Sequence, residues 1–139
     1  MTVETKSLKI QTKKENEIID ITEKVADVVK NSRIKNGIVT VFVSGSTGSL
    51  TTIEFEPGLL QDFPEMLSRV APNDIEYAHE QMWHDGNGRS HVKASLVGPS
   101  LTIPFTNKSL TLGTWQQIVF LELDIRERTR NLVLQMIGE

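Results

Sequence analysis

Apolar and polar residues alternate from Ser7 to Thr12, a period of two that predicts a β-strand, and Lys13 to Ile19 reads as its turn and return partner in an N-terminal hairpin. The period then changes. Val25, Val28, Val29 and Ser32 recur at helical spacing, with Thr22 as N-cap, Glu23 in the first turn and Asn36-Gly37 as the stop. The stripe is narrow and valine-rich, which predicts a helix lying flat on a sheet. The run from Gly37 to Gly45 is apolar on both faces, Val39, Val41 and Val43 pointing one way and Ile38, Thr40 and Phe42 the other, as in a central strand buried on both sides. Ser44 to Ser49 forms a loop of glycines and hydroxyls, and Leu50 to Phe55 a short strand. After a Pro57-Gly58 turn, Leu59, Leu60, Phe63, Met66, Leu67 and Val70 share one helical face. Proline inside a helix costs about 3 kcal/mol, so this helix is expected to start near Asp62, with Pro64 in its first turn, or to kink there.

In the second half, a helix carrying His79 runs into His84-Asp-Gly-Asn-Gly-Arg-Ser-His91, a run of turn-formers that stops it. His91 to Gly98 then reads as a strand with His91, Lys93 and Ser95 on one face and Val92, Ala94 and Leu96 on the other. Leu101 to Phe105 and Ser109 to Gly113 are short strands in a hairpin, and Pro104 confines the first to an edge or a bulge. Thr114 to Ile125 and Thr129 to Gly138 are longer strands joined by a charged turn, and Leu132 to Ile137 is apolar on both faces. The sum, about eight to ten strands and two or three helices with short connections, is an α+β fold: a mostly antiparallel sheet or sandwich in a single domain over residues 1–139. So few helices cannot cover every apolar strand face, which predicts a subunit interface.

Composition narrows the chemistry. With 139 residues and 38% apolar content the chain supports one core. It has no cysteine, so a metal must be held by imidazole or carboxylate. A formal charge of −3 argues against nucleic acid as a partner. No window is apolar enough to span a bilayer and the N-terminus lacks a signal-peptide core, so no membrane partner and a cytoplasmic location are expected.

All three histidines lie between Ile75 and Gln117. His79, Asp85 and His91 are the residue types that hold a divalent metal with room for water. The competing reading is that they only hydrogen-bond nearby backbone. His84 stands roughly 140° around the helix from His79 and joins them only if the helix ends first. Lys93 shares the expected strand face with His91. Ser46 and Thr47, in the hydroxyl-rich loop, suit a phosphate cradle, although no lysine or helix follows as in a Walker loop, and an ordinary turn is the alternative. Glu122 and Asp124, on one strand face with Arg126, read as a salt-bridged rim.

The run Tyr77-Ala-His-Glu-Gln-Met-Trp-His-Asp-Gly-Asn-Gly-Arg-Ser-His-Val-Lys-Ala-Ser-Leu-Val-Gly-Pro-Ser100, followed by Leu112-Gly-Thr-Trp-Gln116 and the basic Arg126–Arg130 segment, resembles the YjbQ-like family, associated with a secondary thiamine-phosphate synthase activity. The resemblance implies an antiparallel α+β sandwich assembled as a homotrimer. It also implies a site of His79, Asp85 and His91 with Asn87 beside them, and a metal there, zinc or another divalent ion. The implied reaction joins a hydroxymethylpyrimidine diphosphate to a thiazole phosphate, so the expected ligand is a small phosphorylated metabolite. His91, Asp85 and Lys93 are then the catalytic candidates, and Ser46, Thr47, Asn87 and Arg126 the substrate-binding ones. A metal-dependent hydrolase and a non-enzymatic trimeric binder are the alternatives. Gly45 stands where many members carry a histidine, which puts in doubt any mechanism needing an imidazole there. The family's acidic-glycine-proline-arginine segment is altered here, leaving Arg126, Arg128 and Arg130 as candidate anion contacts.

Overall fold

The computed structural model describes residues Met1–Glu139. Eight strands and four helices follow in the order β1 (Thr2–Gln11), β2 (Glu17–Asp20), α1 (Thr22–Lys30), β3 (Gly37–Val43), β4 (Gly48–Ile53), α2 (Pro57–Val70), α3 (Ala78–Trp83), α4 (Gly88–Val97), β5 (Ser100–Thr106), β6 (Ser109–Leu110), β7 (Gln117–Glu122) and β8 (Thr129–Gly138). They build a five-stranded sheet of order β1-β8-β3-β5-β6 and a three-stranded sheet of order β2-β7-β4. Every pairing is antiparallel, as the sequence pattern predicts. No helix is long and apolar enough to cross a membrane.

The main core lies between the two sheets. Val39, Val41 and Val43 of β3 and Leu132, Leu134 and Met136 of β8 meet Ile118 and Phe120 of β7, with Val25 and Val29 of α1 closing one side. A second, smaller core lies behind the three-stranded sheet, where Leu121 and Leu123 pack against Leu67 of α2 and Ala94 of α4. The strand buried on both faces is therefore β7. On β3, Ile38 and Phe42 are about two-fifths exposed, on an outer sheet face that no helix covers.

Four local expectations are corrected. The first two strands do not form a hairpin: β1 pairs with β8 over ten residues and β2 with β7 over four, so the chain crosses between sheets at Thr12. The first helix stops at Lys30, well short of Gly37; Ile21 is its N-cap, and Asp20 accepts from the Thr22 amide (3.0 Å) and hydroxyl (2.6 Å). The second helix starts at Pro57 and runs through Pro64. Glu56 caps it by accepting from Leu59 N (2.6 Å) and Gly58 N (2.9 Å), and Pro57 in the first turn has no N–H to leave unpaired.

The correction that matters most for the site is the fourth. The segment from His91 to Val97 is not a strand but the body of α4. Its buried residues Ser90, Lys93, Ala94 and the half-buried Val97 fall three, four and seven apart, the helical stripe, while Val92 and Leu96 are exposed. Ser49 of β4 fixes the helix by donating to the Ala94 carbonyl at 3.1 Å.

Candidate functional site

A buried ionic network closes one end of the three-stranded sheet. Glu122 and Asp124 leave β7 on the same side, and both are fully buried. Arg130, on β8, grips Glu122 with two nitrogens: Nε donates to Oε1 at 2.9 Å and Nη2 to Oε2. The second carboxylate oxygen also takes the Asp124 amide, and Thr12 donates to the first at 2.7 Å. Arg128 donates through Nε and Nη2 to Oδ2 of Asp124. Thr47 ties the pairs together, donating to Asp124 Oδ2 at 3.0 Å and accepting from Arg130 Nη2 at 2.9 Å. Burial opposes ionisation of Asp124, but the bonds from Arg128, the Ile125 amide and Thr47 outweigh it and hold the carboxyl down to about 2.

The histidine cluster sits on this network. Helix α3 presents His79, and His84 ends it in the left-handed conformation (φ 54°). The turn that follows carries Asp85 and Asn87. Gly88 starts α4 tightly against α3, since a Cβ there would lie 2.6 Å from Cβ of Tyr77, and Glu80 accepts the Gly88 amide at 2.7 Å. The result is convergence: Nε2 of His79 lies 3.1 Å from Oδ1 of Asn87 and 3.4 Å from Oδ1 of Asp85. His91, one turn into α4, sets its ring 4.4 Å from the His79 ring, tilted by 49°. Asn87 is buried and links the cluster to the network through Asp124 Oδ1, 3.4 Å from its amide nitrogen.

The orientation of the Asn87 amide is inferred from its neighbours. As placed, its oxygen faces both Asp85 oxygens, at 2.8 and 3.2 Å, acceptor against acceptor. Turned over, its nitrogen donates to Asp85 and its oxygen faces Asp124 instead. In that orientation the nitrogen also lies 3.1 Å from His79 Nε2, so the amide is satisfied by the side chains around it.

The sequence candidates divide accordingly. His79, Asp85, Asn87 and His91 come together. Glu80 joins them, with ligand atoms of His79, Glu80 and Asp85 all within 4.8 Å of one another. His84 is exposed beyond the helix end. Lys93 is not brought to His91, because two residues on a helix point to nearly opposite sides. It is buried toward the Arg89–Glu15 ion pair, its Nζ makes no hydrogen bond, and burial pushes its amine down. Ser46 lines a cleft of about 240 Å³ together with Gly45, Gly48, His91 and Ser95. Thr47 lies beneath, its hydroxyl committed to Asp124 and Arg130. Arg126 is exposed in the β7–β8 loop, while Arg128 and Arg130 enter the network. The carboxylates expected as a rim are its buried centre; the signal was the alternation of Glu122 and Asp124 with Arg128 and Arg130 across one turn.

Fold and site together define a two-sheet α+β domain with an imidazole, carboxylate and amide cluster over a buried ionic network. The chain belongs to the YjbQ-like UPF0047 family, whose model matches residues 6–139. It is 41% identical to a UPF0047 protein of Methanothermobacter thermautotrophicus over 139 residues, covering all of this chain and 95% of that one. Identity to YugU of Bacillus subtilis is 35% over 135 residues, 96% of this chain and 98% of the relative. A YbjQ-like protein of Sulfolobus solfataricus superposes with a TM-score of 0.89 at 29% identity, covering 99% of this chain and 100% of the other.

Proposed function

We propose that His79, Glu80 and Asp85 hold a divalent cation, zinc or one of similar size, and that the adjoining cleft takes a small phosphorylated metabolite. One observation carries this reading: ligand atoms of His79, Glu80 and Asp85 all lie within 4.8 Å of one another, beside the cleft that His91 lines. Such an ion supplies positive charge to phosphate oxygens.

The chain's own groups do the rest. His91 lines the cleft and touches His79, so it is the side chain placed to move a proton. Ser46, which lines the same cleft, is the hydroxyl placed to bind substrate. The reaction implied by the family resemblance breaks the carbon–oxygen bond of a hydroxymethylpyrimidine diphosphate, forms a carbon–nitrogen bond to a thiazole phosphate, and releases pyrophosphate with the bonding electron pair. It needs positioning and charge for the leaving group, not a protein nucleophile.

Metal analysis of the protein purified without tag or chelator should find a stoichiometric divalent ion, lost in His79→Ala. Incubation with the two substrates should yield thiamine phosphate and pyrophosphate, and His91→Ala should lower the rate on the order of 100-fold. A metal-loaded protein that releases inorganic phosphate or cleaves esters without forming thiamine phosphate is a hydrolase instead. No ion in the wild type after reconstitution refutes the cation site.

A further inference from the structure

Arg130 is a buried cation with one unused end. Its side chain is 7% exposed, Nε and Nη2 are committed to Glu122 and Thr47, and Nη1 makes no hydrogen bond to the protein. The guanidinium is charged at any physiological pH, and its five N–H groups have a fixed geometry, so the Nη1 donors point where Glu122 and Thr47 leave them.

They point toward Gly45 in the β3–β4 loop and Gly48 at the start of β4. A Cβ on Gly45 would lie 3.0 Å from Arg130 Nη1, and one on Gly48 would lie 3.5 Å from its Cζ. Both glycines line the 240 Å³ cleft. Two bonds to Glu122 and one to Thr47 hold the guanidinium in place against an added atom. Gly45 has no left-handed backbone to satisfy. Its missing side chain keeps the passage above Nη1 open.

We infer that Gly45 is a specificity-determining residue: by leaving Arg130 Nη1 uncovered, it creates an oxyanion pocket that takes the terminal phosphate of the substrate. The inference deepens the function proposed above and rests on it for the identity of the ligand. Ser46 adds a hydroxyl at the pocket wall. A phosphate there gains a charge-assisted bond from an arginine that is already largely buried in the folded protein. His91, on the same cleft and in contact with His79, stands between this pocket and the proposed cation. The anchored phosphate and the reacting end of one substrate are thereby assigned to neighbouring subsites.

The probe is inorganic phosphate, titrated calorimetrically into the protein with and without chelator treatment. Phosphate should bind in both states. Gly45→Ala should weaken it on the order of 10-fold or more, the scale of one bond to a charged group, and Ser46→Ala by less. Circular dichroism establishes that each variant is folded; if Gly45→Ala is not, Ser46→Ala and the wild-type titration decide. No binding to the chelated wild type, or Gly45→Ala binding phosphate as the wild type does, overturns the pocket. Absence of a metal together with retained, Gly45-sensitive phosphate binding refutes the cation site and leaves the pocket standing.

Discussion

Glu122 and Arg130 form a two-point ion pair with side-chain exposures of 0% and 7%, joining the end of β7 to the start of β8. Removing one partner strands the other as a buried charge, which costs about 3–5 kcal/mol, whereas an exposed pair contributes little. Arg130→Met and Glu122→Leu should therefore each destabilise on that scale in urea unfolding, and Arg69→Ala, at the exposed Arg69–Glu65 pair, by under about 1 kcal/mol. Equal midpoints for all three would show that the buried pair contributes nothing special.

Asp124 supplies an acid limit. Its folded carboxyl is held to about 2, below the ordinary 3.8, so the folded state binds fewer protons than the unfolded one between those values. The stabilisation is complete above the unfolded value and is lost as pH falls through about 2; it amounts to roughly 2 kcal/mol. Thermal midpoints of the wild type should drop across this window, and those of Asp124→Asn should start lower and fall less steeply.

Lys93 acts in the opposite sense. Burial lowers its amine with no hydrogen bond in compensation, so the folded state holds its proton less well than the unfolded one. Stability from this group rises with pH from the folded value up to the ordinary 10.5. Lys93→Met keeps the packing and removes the charge. It should raise stability at neutral pH by about 1–3 kcal/mol and flatten the alkaline rise, by urea unfolding at several pH values. A loss of stability would mean that the amine is paired in solution.

The uncovered face of the five-stranded sheet carries Val3, Ile38, Phe42 and Ile137, all more than a third exposed, and neighbouring positions bring them together: Val3 opposite Ile137 and Ile137 opposite Ile38. We propose that this face is covered by further copies of the chain, three in all by the family resemblance. Light scattering should give the trimer mass at micromolar concentration, and Phe42→Glu should dissociate it. A well-folded wild-type monomer would dismiss the proposal.

The alternating apolar patterns of Val39 to Val43 and of Leu132 to Met136 determined which strand faces meet the core, because a side-chain period of two is a local property of extended backbone. They also marked the fold class, and the turn-formers from His84 to His91 correctly ended one helix. Pairing partners were beyond such patterns. Nothing near Lys13 says that β1 will take β8 rather than β2, since a ten-residue register with a strand over a hundred residues away outweighs a four-residue hairpin only once both are present. Helix α4 shows the same limit: Ser90, Lys93, Ala94 and Val97 fit a helix and His91 to Leu96 fit a strand, and contact with Ser49, Leu121 and Leu123 decides between them. The residue types of the site were legible because imidazole and carboxylate are scarce and clustered. That Asn87 and Asp85 face one another, that Lys93 turns away from His91, and that Gly45 uncovers Arg130 depended on three separate loops meeting at one sheet end, a long-range arrangement that only tertiary packing fixes.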